Sequence, residues 1–190
     1  MLINIITACS RPENLDELRM SINIPKQNYR WIVVFDFPSI DGISIPYNCE
    51  YYLGSHPDSV LGNYQKNVGL DKVTDGWVYF LDDDTTLHQD FYKWVSKYPD
   101  SDFISFPQQN RVGEQRCDGK SITEGHIDAG SVVVHHSIIK GIRLNPISLN
   151  NADVHWSTNV IKNSTNHKWI PYSLSVYNYL RDPKLEPEWT

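Results

Sequence analysis

At 190 residues with 40% hydrophobic content, the chain is long enough for one domain with a full core and leaves little room for a second. A formal charge of −6 without any Lys/Arg-rich run excludes a nucleic-acid or anionic-membrane partner, since phosphate backbones require a basic face. Three cysteines, Cys9, Cys49 and Cys117, form neither a metal-binding pair nor a disulfide framework, which points to a reducing, cytoplasmic setting.

Ile3 to Thr7 reads as a short buried strand; the apolar N-terminus is too short for a signal peptide, and no run approaches membrane-span length. Ser10-Arg11-Pro12-Glu13 matches a capping box with proline in the first turn, so a helix is expected to start near Ser10, with Leu15, Leu18 and Ile22 as its apolar stripe. The amide donors where that strand feeds that helix, beside Arg11, would suit a diphosphate; an ordinary strand-to-helix turn is the alternative. Tyr29 to Phe37 is a second strand. Asp36 near its carboxyl end is placed to accept from a base or ribose, or is a plain loop carboxylate. After a Pro/Gly/Ser-containing loop at 38–46, Glu50 to Leu53 forms a third strand, and Val60, Leu61, Tyr64 and Val68 mark a helix ending near Gly69. Lys66 and Asn67 fall beside that helical face, toward the same edge or simply into solvent.

The most informative stretch is Trp77 to Leu87, an apolar run driving into Asp82, Asp83 and Asp84. Concentrated negative charge at the end of a buried strand is costly unless a cation or hydrogen-bond donors lie there. Oxygen-only ligands suit Mg²⁺ or Mn²⁺, ions that bridge carboxylates to substrate phosphates; a solvated acidic turn is the competing reading. Phe91, Trp94, Val95 and Tyr98 then predict a helix, and Asp102 to Phe106 a strand. Pro107 to Gly125, polar and carrying Arg111, Arg116 and Lys120, is expected to be a mobile lid over an anionic substrate or a disordered segment. Small residues at Ala129-Gly130-Ser131, after Asp128, precede the Val132-Val133-Val134 strand and would let a ligand approach the backbone. Asn150-Asn151-Ala152-Asp153 opens a helix containing Trp156 and Val160, so Asp153 is either a capping carboxylate or a general base. Trp169 to Tyr177 reads as a late strand. Residues 1–180 are thus expected to form the domain and 181–190, with Pro183 and Pro187, a tail or a link to a further module. The order of elements calls for an α/β domain, helices flanking a mostly parallel sheet.

Taken together, Thr7-Ala8-Cys9-Ser10-Arg11-Pro12, Asp36, Gly62 to Leu70, Phe80-Leu81-Asp82-Asp83-Asp84, Gly130 and Asp153 resemble the GT-A fold nucleotide-sugar glycosyltransferases, especially the inverting family-two-like group. The resemblance implies a single GT-A-like, Rossmann-like domain. It also implies a donor site of Thr7, Ala8, Cys9, Arg11, Asp36, Lys66, Asp82 and Asp83, with Asp36 contacting uracil. Asp82 and Asp84 match the outer carboxylates of the DxD motif: Asp84 would bind Mn²⁺ or Mg²⁺ directly, and Asp82 and Asp83 would serve the ribose or a metal-bound water. Lys66 stands where an arginine is common, which keeps charge but loses bidentate geometry. Asn178 stands where many relatives have a metal-binding histidine, with His167 as a possible substitute. Asp153 matches the catalytic base, with Asp128, Gly130 and Trp156 around the sugar or acceptor.

The chemistry implied is displacement at the anomeric carbon of a UDP-sugar by a carbohydrate hydroxyl, with Asp153 taking the proton and the configuration inverting. Two other classes compete. A sugar-phosphate nucleotidyltransferase would want a glycine-rich loop after the first strand, which Ala8 to Pro12 lacks; a non-catalytic carbohydrate-binding module would use the 11 tyrosines and six tryptophans as stacking faces.

Overall fold

A computed structural model describes residues 1–148 and 151–181. Asn150, read above as part of a helix start, and residues 182–190, read as a tail, lie outside the described residues. The strands β1 (Ile3–Cys9), β2 (Tyr29–Phe35), β3 (Glu50–Leu53) and β4 (Trp77–Phe80) are parallel neighbours in a seven-stranded sheet. The sheet continues beyond β4 through β9 (Val132–His135), β6 (Phe103–Ser105) and β10 (His167–Trp169), giving the order β10-β6-β9-β4-β1-β2-β3. Only β9 runs antiparallel to its neighbours β4 and β6. The mostly parallel α/β architecture is therefore as the element order predicts.

The apolar runs are continuous because both sheet faces are covered. Alternation sends Ile3, Ile5, Trp31, Val33 and Tyr79 into one core with Leu15 and Leu18 of α1 (Leu15–Ser21). Ile6, Ile32, Val34, Val78 and Phe80 enter the other, where Leu70 of α2 (Asn63–Leu70) and Trp156 and Val160 of α5 (Ala152–Ile161) close it. Two glycines let α2 sit close to β1. A Cβ at Gly69 would fall inside the side chain of Ile6, and one at Gly62 would stand 2.6 Å from Ala8 Cβ.

Four local expectations change. No capping box forms at Ser10: a 3₁₀ turn at Pro12–Asn14 precedes α1, because Asp83 takes the Ser10 and Arg11 amides from across the sheet edge. Helix α2 begins at Asn63, not at Val60, because Leu61 (φ 53°) and Gly62 (φ 70°) are both left-handed. The polar segment after Pro107 is neither an open lid nor disordered; β7 (Gln108–Asn110) and β8 (Gln115–Cys117) form an antiparallel pair within it. They join β5 (Thr86–Leu87) and β11 (Ser175–Tyr177) in a second sheet, ordered β5-β11-β7-β8. The single late strand expected from Trp169 to Tyr177 accordingly divides, β10 staying in the large sheet and β11 crossing to the small one. The remaining helices are α3 (Phe91–Val95) and α4 (His136–Ile139).

Candidate active site

Parallel strands β2, β1 and β4 end on one edge, and the reversal of β9 brings its N-terminal end to that edge as well. Chain reversal thus lines up Asp36 after β2, Ala8 to Arg11 at the end of β1, Asp82 to Asp84 after β4, and Asp128 ahead of β9. With about 4.8 Å between strands, this row spans about 14 Å. Along it lies a cleft of about 330 Å³ whose wall includes Ala8, Cys9, Arg11, Asp36, Lys66, all three carboxylates of the triplet, Asp128 and Asp153. A second cleft of about 220 Å³ adjoins it, and the two share Leu61, Arg116, Asp128 and Asp153.

The three carboxylates of the triplet have different partners. Asp83 faces inward and accepts from Ser10 N at 2.7 Å, Ser10 Oγ at 3.0 Å, Arg11 N at 2.8 Å and Arg11 Nε at 3.0 Å, besides an ion pair with Arg11 Nη2. It ties the end of β1 to the end of β4. Asp84 is buried, 2.8 Å from Arg11 Nη2 and 3.6 Å from Arg181 Nε. Burial and then the charge of Asp82 raise its pKa to about 6, against the pull of Arg11. Asp82 is half-buried and pairs with Lys66 Nζ at 3.0 Å.

Lys66 is enclosed by protein. Burial alone would lower its pKa, but the carboxylates of Asp82, Asp153 and Asp128 outweigh that and hold it above the ordinary lysine value. Asp128 is the N-cap of a 3₁₀ turn at Ala129–Ser131, accepting from Gly130 N at 2.8 Å and from Arg116 Nη1 at 2.7 Å. Burial would raise it; Arg116 and Lys66 bring it below the usual carboxylate range. Asp153, in the first turn of α5, opens onto both clefts, and its side chain has no hydrogen bond or ion pair among the described residues. Burial, with Asp128 and Asp82 adding to it, raises its pKa to about 6 despite Lys66 and Arg116. A carboxylate without a partner, poised near neutrality, is equipped to accept a proton.

Other predicted residues lie elsewhere. Thr7 is fully buried on the α1 face, accepting from Trp31 Nε1 at 3.0 Å, so it supports β1 from the core side and does not line the cleft. Trp156 is buried edge-on against Phe80, and its aromatic face is core. Gly130 is buried behind Asp128, its carbonyl accepting from Tyr79 and Ser175. His167 lies on β10, hydrogen-bonded to Ser105 Oγ at 2.9 Å, and is not among the residues lining either cleft. Asn178 follows β11 with φ 52°, and its Oδ1 is buried without a partner. Two residues on, Leu180 N donates to the Asp84 carbonyl at 2.9 Å.

The structure also adds residues that sequence reasoning missed. Gln65, buried on α2, donates to Asp36 at 2.7 Å. Arg116, from the polar segment, is held by Gln108 Oε1 at 2.7 Å, by Asp128, and by the ring of Tyr177 with its guanidinium 3.8 Å from the centroid. Arg181 adds a fourth cation to the first cleft. Only the clustering of three basic residues between Pro107 and Gly125 hinted at any of these.

Among the described residues no three Asp, Glu, His or Cys side chains converge on one point. A cation here would therefore take two carboxylates and neutral oxygens. The mutual repulsion of Asp82 and Asp84 fits a small hard ion, whereas Asn178, like His167, is not among the residues lining either cleft.

This is the fold of the GT-A-like glycosyltransferases. Solved structures of S. aureus TarS share it. TarS 1-349 superposes with a TM-score of 0.74 at 14% identity, covering 93% of this chain and 60% of that one. The same TarS segment in complex with UDP-GlcNAc gives 0.70 at 13% identity, with 93% and 58% covered. Its complex with UDP gives 0.71 at 15% identity, with 93% and 60% covered. The chain thus spans about 60% of the length of the TarS 1-349 structure. No protein-family model matches the sequence, and no curated protein matches it.

Proposed function

We propose that this protein is a glycosyltransferase that moves a monosaccharide from a nucleotide-diphosphate sugar, a UDP-sugar, to a hydroxyl of a carbohydrate acceptor, with inversion and with a divalent cation. The observation that carries the reading is Asp153, a carboxylate with no hydrogen-bond or ion-pair partner where two clefts meet, beside a row of cations and carboxylates long enough for a nucleoside, a diphosphate and a sugar. The likeness to TarS, whose structures were determined with UDP and UDP-GlcNAc, supports the donor class.

In this reading the base lies at the Asp36 and Gln65 end, the diphosphate passes Arg11, Lys66 and Arg181, and the sugar reaches the junction. The second cleft receives the acceptor. Asp153 takes the proton of the acceptor hydroxyl as its oxygen attacks the anomeric carbon. The bond from that carbon to the diphosphate breaks, and the diphosphate leaves with the electron pair. Asp82 and Asp84 would hold Mn²⁺ or Mg²⁺, which when bound supplies positive charge against the charge growing on the diphosphate. Lys66 and Arg116, which both act on Asp128, keep the junction from accumulating uncompensated negative charge.

Calorimetry with UDP, with and without Mn²⁺, on the native protein and on Asp84→Ala tests the donor and metal parts. Binding that strengthens with Mn²⁺ and loses that dependence in the variant is expected, and the absence of any nucleotide binding would overturn the assignment. The anomeric configuration of the product, read by NMR, tests the base: retention would remove Asp153 from that role.

A further inference from the structure

We propose that Gln65 sets the nucleobase preference of the cleft by locking Asp36 so that one carboxylate oxygen, an acceptor with no donor beside it, faces the base. This rests on the nucleotide-sugar reading above. Gln65 is 1% exposed, and its amide is fully engaged: Nε2 donates to Asp36 Oδ1 at 2.7 Å and to the Gly54 carbonyl at 3.0 Å, while Oε1 accepts from Ser59 Oγ at 3.2 Å. The opposite amide orientation would set Oε1 against two acceptors, so this one is fixed by chemistry. The backbone of Asp36 is pinned as well, its N–H donating to the Cys9 carbonyl at 3.0 Å. Asp36 Oδ2 has no partner among the described residues, and the side chain is exposed on the cleft wall beside Gln65.

An anionic oxygen whose neighbouring donors are already engaged can only accept. It matches a ring N–H, as uracil offers at N3, and repels the lone pair that cytosine presents at the corresponding position. Gln65 touches Asp36 and acts through it; it is a positioning residue. The lock also dictates what a substitution at Asp36 would do. In Asp36→Asn, Gln65 Nε2 still donates, so the new amide must turn its oxygen toward Gln65 and its NH₂ toward the base. The acceptor then becomes a donor, and the preference should pass to cytosine.

Calorimetric titration with UDP and CDP, at fixed Mn²⁺, tests this in four proteins. The native protein is expected to favour UDP by about tenfold or more, since a site built around one hydrogen bond rejects the analogue lacking it. Asp36→Asn is expected to favour CDP. In Gln65→Met, close in volume, UDP should weaken while CDP does not, bringing the two within about threefold, and Asp36→Asn combined with Gln65→Met should lose the reversal because the amide is free to turn. A purely structural Gln65 would weaken both nucleotides alike. Equal UDP and CDP affinities in the native protein, a native ratio that survives in Gln65→Met, or no reversal in Asp36→Asn would overturn the proposal while leaving the transferase assignment standing. Should Gln65→Met not fold, the Asp36→Asn comparison alone decides. If the native protein binds neither nucleotide, both readings fall together.

Discussion

Neighbouring carboxylates with opposite duties make Asp83→Ala an informative perturbation. The Asp83 side chain is 3% exposed and receives two backbone amides, a hydroxyl and the Arg11 guanidinium. Removing it strands the Ser10 and Arg11 N–H groups, at about 1–3 kcal/mol for each buried donor left unmet. Arg11, 30% exposed in its side chain and still paired with Asp84 at 2.8 Å, recovers part of the loss. The net expectation is about 3–5 kcal/mol, the range for breaking a buried charged pair from one side. For a chain of this length that is a fall in Tm of about 6–20 °C. Urea unfolding followed by fluorescence measures it directly, with Asp84→Asn as the internal comparison. A variant whose unfolding midpoint matched the native protein, while nucleotide binding vanished, would mean that Asp83 faces the ligand and that the clamp between β1 and β4 is not what holds this edge.

The other predictions follow from burial and charge. Asp84→Asn should unfold at equal or higher urea at pH 8 while losing Mn²⁺-dependent nucleotide binding. An acid with a raised folded pKa binds its proton more tightly when folded, so the contribution of Asp84 to stability is greatest below pH 4 and is lost as pH climbs through about 4–6; the ionised group then costs up to about 3 kcal/mol. Asp153 faces Lys66, Asp128, Asp82 and Arg116, and it must be ionised to act as base, so kcat/KM for transfer should drop as pH falls through about 6. Asp153→Asn should lower the rate by about a hundredfold or more and abolish that limb; a persisting limb would assign it to another group. Gly69→Ala should destabilise by about 1–2 kcal/mol in urea, the clash with Ile6 outweighing the helix propensity gained, and a stabilised variant would mean that α2 does not lie against β1 this closely.

What could be read in the chain beforehand was whatever depended on neighbours in sequence. The strands from Ile3, Tyr29, Glu50 and Trp77 were legible because two covered sheet faces demand unbroken apolar runs, and that demand is local. That the acidic triplet needed counter-charge was legible, because three carboxylates at the end of a buried strand are costly without it, and the structure supplies Arg11, Lys66 and Arg181. How the three divide was not. Asp83 turns inward because Ser10 and Arg11, 73 and 72 residues away, offer amides there, and no spacing rule could show that. The same cause defeated the capping box: Ser10 and Glu13 have the right separation, but a remote carboxylate holds the serine more firmly than its own helix would. The second sheet escaped notice because its strands are two or three residues long and polar, below the length at which alternation speaks.

That second sheet explains why the most consequential omission was Arg116. Sequence reading left its segment as either a mobile lid or a disordered stretch, whereas pairing with β7 and stacking on Tyr177 fix the guanidinium against Asp128. Asp128 is thereby committed to orienting Arg116 and capping its own turn, which leaves Asp153 as the carboxylate at the junction without a fixed partner. In the proposed reading Asp153 is left to act as base because Asp128, the other carboxylate where the clefts meet, is held by Arg116, while farther along the first cleft Asp82 pairs with Lys66, Asp83 with Arg11 and Asp84 with two arginines.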